Sequence, residues 1–206
     1  MATTERERRR AQLLRVSAEV FAEKGYHDAR IDDVVARAKV ARGTFYLYFE
    51  DKRAVFEELV TTFVARLSDD ITTVVLDGDH ARAMGELREN LLRVVRRFMA
   101  EPLMARILLS AAVGLDKDFD QRLLAFYDEI TALLERSLEQ AEGAGLVRPG
   151  QRRVRSYCLV GIIKELLYQL VLRGAEEPPE LLVDAMLDLV AEGIFTDVAR
   201  GAIHRG

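Results

Sequence analysis

Apolar residues recur at intervals of three and four along nearly the whole chain, and almost nothing alternates in the two-residue rhythm of a half-buried strand. That periodicity restricts the chain to helices packed on helices. Leu13, Val16, Val20 and Phe21 form a first stripe, which stops at Lys24-Gly25, a basic last turn before a residue free to adopt the left-handed cap conformation. Ile31, Val34, Val35 and Ala38 form a second, with Asp32 and Asp33 in the first turn, where the helix dipole favours negative charge. The stretch Ala41-Arg42-Gly43-Thr44-Phe45-Tyr46-Leu47-Tyr48-Phe49 suits a short helix or, from its aromatic content, a strand. A lone strand would leave its backbone groups unpaired, so a third helix is expected.

Beyond Phe49 the helices lengthen. Phe56, Leu59, Val60, Phe63 and Leu67 mark a fourth, expected to fade near Asp77-Gly78-Asp79, and Leu87, Leu91, Val94 and Phe98 a fifth. Pro102 is placed to open a sixth; Leu123 through Ala141 trace a long seventh that stops at Gly143 to Gly145; Pro149-Gly150 is a turn; Pro178-Pro179 opens the last helix. The expected fold is all-α, with an N-terminal three-helix head over residues 1–50 and a larger helical bundle over residues 51–206.

Composition narrows the possible functions. With 206 residues, half of them hydrophobic and 31% charged, the chain suits a soluble globular protein with a substantial core. No apolar run approaches the roughly 18 residues of a membrane span, and the start, Glu5-Arg6-Glu7-Arg8-Arg9-Arg10, lacks the apolar stretch of a signal peptide, so a cytoplasmic protein without a membrane partner is expected. Cys158 is the only cysteine, which excludes an internal disulfide and any multi-cysteine metal site. Charge is unevenly placed: residues 1–53 carry 12 Lys and Arg against 9 Asp and Glu, while the remainder carries 18 against 25. A basic head on an acidic body is what a chain needs if only a small segment is to meet a polyanion.

Two short helices joined by a tight turn, with a third packed across them, form a helix-turn-helix, whose later helix is presented to the DNA major groove. The words Phe21-Ala22-Glu23-Lys24-Gly25-Tyr26, Ile31-Asp32-Asp33-Val34 and Val40-Ala41-Arg42-Gly43-Thr44-Phe45-Tyr46-Leu47-Tyr48-Phe49, followed by Lys52, closely resemble the DNA-binding domain of the TetR family of transcriptional regulators. The resemblance covers about residues 10–56. Residue chemistry agrees. With Val40, Phe45 and Phe49 turned inward, Arg42, Gly43, Thr44, Tyr46 and Tyr48 remain for the outer surface; a guanidinium can fork onto guanine, a threonine methyl can touch thymine, and tyrosine hydroxyls reach phosphate. Lys52, at the start of the fourth helix, is expected to join that helix N-terminus in gripping a phosphate.

The chain departs from the family pattern at three places. Arg30 and Ala41 replace the small hydroxyl residues that usually cap the second and third helices, and Lys39 stands where the turn commonly has glycine. Asp28 is then a candidate cap for the second helix, and Arg30 and Lys39 are candidate DNA contacts by charge. The arginines Arg6, Arg8, Arg9 and Arg10 suit either an arm reaching the DNA or a solvated helix end.

For the body, the resemblance implies a ligand-binding and dimerisation bundle. The last helix is apolar over half its circumference, and the eighth has an aliphatic side; both therefore need a second buried surface. Leu159, Ile163, Leu166, Leu170, Met186, Val190 and Ile194 are the candidate homodimer interface. Phe98, Met99, Met104, Tyr127, Glu165 and Tyr168 are candidate linings for a small-molecule effector whose identity the sequence does not give. Enzymatic chemistry has no constellation to rest on, and no cofactor or metal is expected. The acidic run from Asp116 begins like a calcium loop but has Gln121 at its sixth place and Tyr127 at its twelfth. The resulting expectation is a ligand-responsive regulator, most simply a repressor that binds a palindromic double-stranded operator as a dimer. The alternative is a helical protein-interaction module without operator binding, which salt-dependent binding to a palindromic duplex would distinguish.

Overall fold

In the computed structural model, residues 4–77, 79–110 and 117–192 are described, and every regular element among them is helical. α1 (Glu5–Lys24) starts at a reciprocal cap: the Glu7 N–H donates to Thr4 Oγ1 at 3.2 Å and the Thr4 N–H donates to Glu7 Oε2 at 2.7 Å. The arginine run is therefore the opening of a capped helix and not an extended arm. α1 ends where Gly25 takes φ +79°, its N–H donating to the Phe21 carbonyl at 2.9 Å.

α2 (Ile31–Ala38) has no side-chain cap from Arg30; the Asp33 carboxylate instead accepts the Arg30 N–H at 3.0 Å. Asp33 thus takes the role expected of Asp28, because a residue three places into the helix can reach back over its first turn. The helix closes with paired bonds, Lys39 N–H to the Ala36 carbonyl and Val40 N–H to the Val35 carbonyl, around Lys39 at φ +54°. α3 is only five residues long, Arg42–Tyr46, and starts at Ala41 with no side-chain cap.

α4 (Lys52–Asp70), capped by Asp51 on the Ala54 N–H at 2.8 Å, stops seven residues before the expected Asp77. Ile71-Thr72-Thr73-Val74-Val75 is a β-branched run with poor helix propensity, and Asn90 from the next helix seizes it: Oδ1 accepts the Thr72 N–H at 3.0 Å while Nδ2 donates to the Thr72 carbonyl at 2.6 Å. α5 (His80–Ala100) is capped by Asp79, and α6 (Pro102–Ser110) opens at the expected proline. α7 (Lys117–Gly143) takes Lys117 to Asp120 of the acidic run into its first turn, Asp116 lying outside the described residues. α8 (Arg152–Leu167) continues into a π-helical turn, Tyr168–Leu172, where the Arg173 N–H donates to the Tyr168 carbonyl at 3.2 Å. α9 runs from Pro179 to Glu192.

A single apolar core runs from Leu13 in α1 through Phe45, Phe56, Phe63 and Phe98 to Val183 in α9. α1 packs on α2 and α4 and also on α6, so the head is seated directly on the body. Phe63 and Phe98 meet edge to face with centroids 4.9 Å apart. Arg97 clamps Asp70, joining α4 to α5, and Arg88 with Asp184 and Arg96 with Glu180 join α5 to α9. No helix among the described residues is long and apolar enough to cross a membrane.

Candidate nucleic-acid interface

α3 is held by one side. Phe45 is 1% exposed, with its ring centroid 5.7 Å from that of Phe49, also buried. At helical spacing this turns Arg42, Gly43 and Tyr46 outward, with Thr44 and Tyr48 at the margins of the same surface. A β-carbon added at Gly43 would meet nothing within 4 Å, and its backbone has ordinary helical φ, so neither the fold nor the conformation requires glycine there. A glycine inside a helix costs about 1 kcal/mol relative to alanine. What it provides is a bare stretch of backbone that a partner outside the chain can approach.

The Arg42 guanidinium is ordered before any partner arrives. Nη1 lies 2.9 and 3.2 Å from the two carboxylate oxygens of Asp32, and Nη2 lies 3.4 Å from the Tyr46 hydroxyl. The Tyr46 hydroxyl and then the Asp32 charge raise its pKa above the ordinary arginine value, so it stays cationic. Arg30 and Lys39 are exposed on either side of α2. Asp33 is held below the usual carboxylate range by Lys24 at 2.6 Å and by the Arg30 N–H.

Lys52 does something other than what its position suggested. Its ammonium donates to three backbone carbonyls, of Tyr26 at 2.8 Å, His27 at 3.0 Å and Ala29 at 3.2 Å, and sits 4.5 Å from the centroid of the Tyr26 ring. An ammonium has three N–H donors. With those committed to the loop between α1 and α2, Lys52 ties that loop to α4 and has no donor left for a phosphate. Arg10 is likewise engaged, paired with Glu58 and 5.0 Å from the Phe49 ring centroid.

The candidate effector linings divide between the core and the surface. Phe98 and Met104 are in the core; Tyr127 is half-buried, its hydroxyl donating to the Leu108 carbonyl at 3.2 Å and its pKa raised by burial. Tyr168 is half-buried in the π turn, whereas Met99 is 44% exposed and Glu165 is exposed and accepts from Gln169 at 2.7 Å. The candidate interface residues also divide. Leu170 and Met186 are buried within the chain itself, Leu159, Ile163 and Leu166 are half-buried, Val190 is exposed, and Ile194 lies outside the described residues. The apolar residues that α8 and α9 leave open also include Val154, Tyr157, Leu181 and Leu189.

A three-helix head with a basic, glycine-bearing helix exposed on one side and a helical body beneath it defines a helix-turn-helix DNA-binding protein. Comparison with known proteins narrows the class. Residues 13–59 match the profile of bacterial regulatory proteins of the tetR family. The chain is 27% identical over 190 residues to YdgC, an uncharacterized HTH-type transcriptional regulator of Bacillus subtilis (strain 168), an alignment covering 86% of this chain and 88% of that protein. Among solved structures it is similar to the fatty acid degradation regulator FadR from Bacillus halodurans, with a TM-score of 0.73 and 19% identity over 94% of this chain and 98% of that one. FadR from Bacillus subtilis in complex with stearoyl-CoA gives a TM-score of 0.70 and 22% identity over 90% of this chain and 99% of that one. Residues 13–59 thus carry a DNA-binding segment of the tetR type, and over most of its length the chain is similar to a helix-turn-helix transcriptional regulator.

Proposed function

We propose that the protein is a repressor that binds a palindromic operator as a homodimer and is released from it by a small-molecule effector taken up in the body. The observation that carries the DNA half of this reading is the outer surface of α3, where Arg42, Gly43 and Tyr46 are exposed while Phe45 holds the helix from behind. In this arrangement Arg42 reads a base and Thr44, Tyr46 and Tyr48 support it on neighbouring bases and phosphates, with Arg30 and Lys39 supplying flanking charge. The dimer is supported by the apolar residues open on α8 and α9, since a soluble chain rarely leaves a broad patch of this kind to water. For the effector, the likeness to a fatty acid degradation regulator and to a transcriptional regulator in complex with stearoyl-CoA makes a long-chain acyl thioester the class to test first. Its tail would be accommodated in the apolar interior to which Phe98, Met104 and Tyr127 belong.

Selection of bound sequences from a random duplex pool tests the reading. A palindromic consensus is expected. On it, Arg42→Ala should lose about 1–3 kcal/mol per half-site and relax the preference at one base pair. Stearoyl-CoA should weaken operator binding, and operator should weaken stearoyl-CoA binding by the same factor. Recovery of no sequence preference from the pool would overturn the reading.

A further inference from the structure

The pair Asp32–Arg42 is not explained by the needs of the fold. Both side chains are more than half exposed, at 64% and 58%, and an exposed ion pair contributes little to stability. The start of α2 does not depend on Asp32 alone, because Asp33, an acid of the same first turn, already accepts the Arg30 N–H and pairs with Lys24. Asp32 instead crosses the turn between the two helices and places both carboxylate oxygens on one guanidinium nitrogen of the arginine that faces outward.

We infer that Asp32 is a specificity-determining residue of the DNA face, acting through Arg42. It does two things. By holding Nη1, with Tyr46 on Nη2, it fixes the guanidinium before docking, which reduces the conformational freedom lost when a base edge is bound. It also sets a negative charge beside the cation. A phosphate approaching Arg42 meets that charge and is repelled, whereas the neutral acceptor edge of a base is not. Like-charge juxtaposition of this kind discriminates by weakening the wrong partner. The wrong partner here is the DNA backbone of any sequence, and the inference rests on the proposed role of Arg42 as a base reader.

The test uses the full chain, a duplex carrying the site selected by the unmodified protein, and a scrambled duplex of equal length, at several salt concentrations. Asp32→Asn should raise affinity for the scrambled duplex by about threefold per head, from removal of one repulsive charge some 6 Å from a phosphate in high dielectric. Affinity for the selected site should rise by less or fall, so the ratio between the two narrows. Asp32→Glu keeps the charge and should keep scrambled-duplex binding weak. In an Arg42→Ala background, Asp32→Asn should no longer alter preference at the base pair Arg42 reads. An unchanged ratio in Asp32→Asn, or a parallel loss on both duplexes, overturns the inference and leaves the DNA-binding reading standing. If the unmodified protein selects no site at all, that reading falls and this inference with it.

Discussion

At the scale of single residues, Lys52 and Lys39 show how far a position in sequence can differ from a position in space. The outward set on α3 was legible because Phe45 and Phe49 are inward at helical spacing and the remaining residues follow from geometry. Lys52 was not, since its three carbonyl partners lie 23 to 26 residues away in a loop whose path no local pattern records. Asp32 was legible only as an acid in a first turn; its contact with Arg42 needs the angle between two helices. Lys52→Ala should therefore destabilise the chain by about 1–3 kcal/mol through the stranded carbonyls, read as a lower urea midpoint, while the salt dependence of DNA binding stays unchanged. A reduced salt slope with undiminished stability would restore the phosphate role. Lys39 occupies a left-handed conformation that costs a residue with a β-carbon about 1–2 kcal/mol. Lys39→Gly should raise the thermal midpoint, less the entropy glycine adds to the unfolded chain, and should lower DNA affinity only by one charge per head. A fall in the midpoint would show that the Lys39 side chain stabilises the head in a way its exposure conceals.

At the scale of elements, helix starts and stops marked by proline or glycine were legible, as at Pro102, Pro179 and Gly25, because those residues act on their own backbone. The end of α4 was displaced by a distant side chain, Asn90, although the β-branched run after Asp70 was a usable signal. α9 is fastened to α5 through Asp184 and Glu180, and hydrogen bonds from Arg88 and Arg96 hold both carboxyls below the usual carboxylate range. Such groups bind protons more weakly in the folded chain than in the unfolded one, so they stabilise the fold above the ordinary carboxylate pKa and lose that contribution as pH falls through the lowered values. Hydrogen exchange should accordingly show protection in α9 falling below about pH 4, ahead of protection in α6, which carries no carboxylate of its own. Equal loss in both helices would mean that the two arginine clamps do not anchor α9.

At the scale of the whole molecule, the all-α architecture followed from periodicity, but the orientation of α8 and α9 did not. Each has apolar residues on more than one face, and only packing decides which set the chain keeps for itself. Leu170 and Met186 went inward, while Leu181, Leu189 and Val190 stayed open. The protein should sediment as a dimer at micromolar concentration, and Leu189→Glu together with Val190→Glu should dissociate it and weaken operator binding by loss of simultaneous engagement. A monomer for the unmodified protein would remove the dimer. The contact of α1 with α6 has a consequence for recombination. A chimaera that joined the first fifty residues of another regulator to this body would inherit a seam of mismatched helix surfaces far from the splice point. New operator specificity is therefore better grafted by exchanging the outer residues of α3 alone, or by moving α6 along with the head it supports.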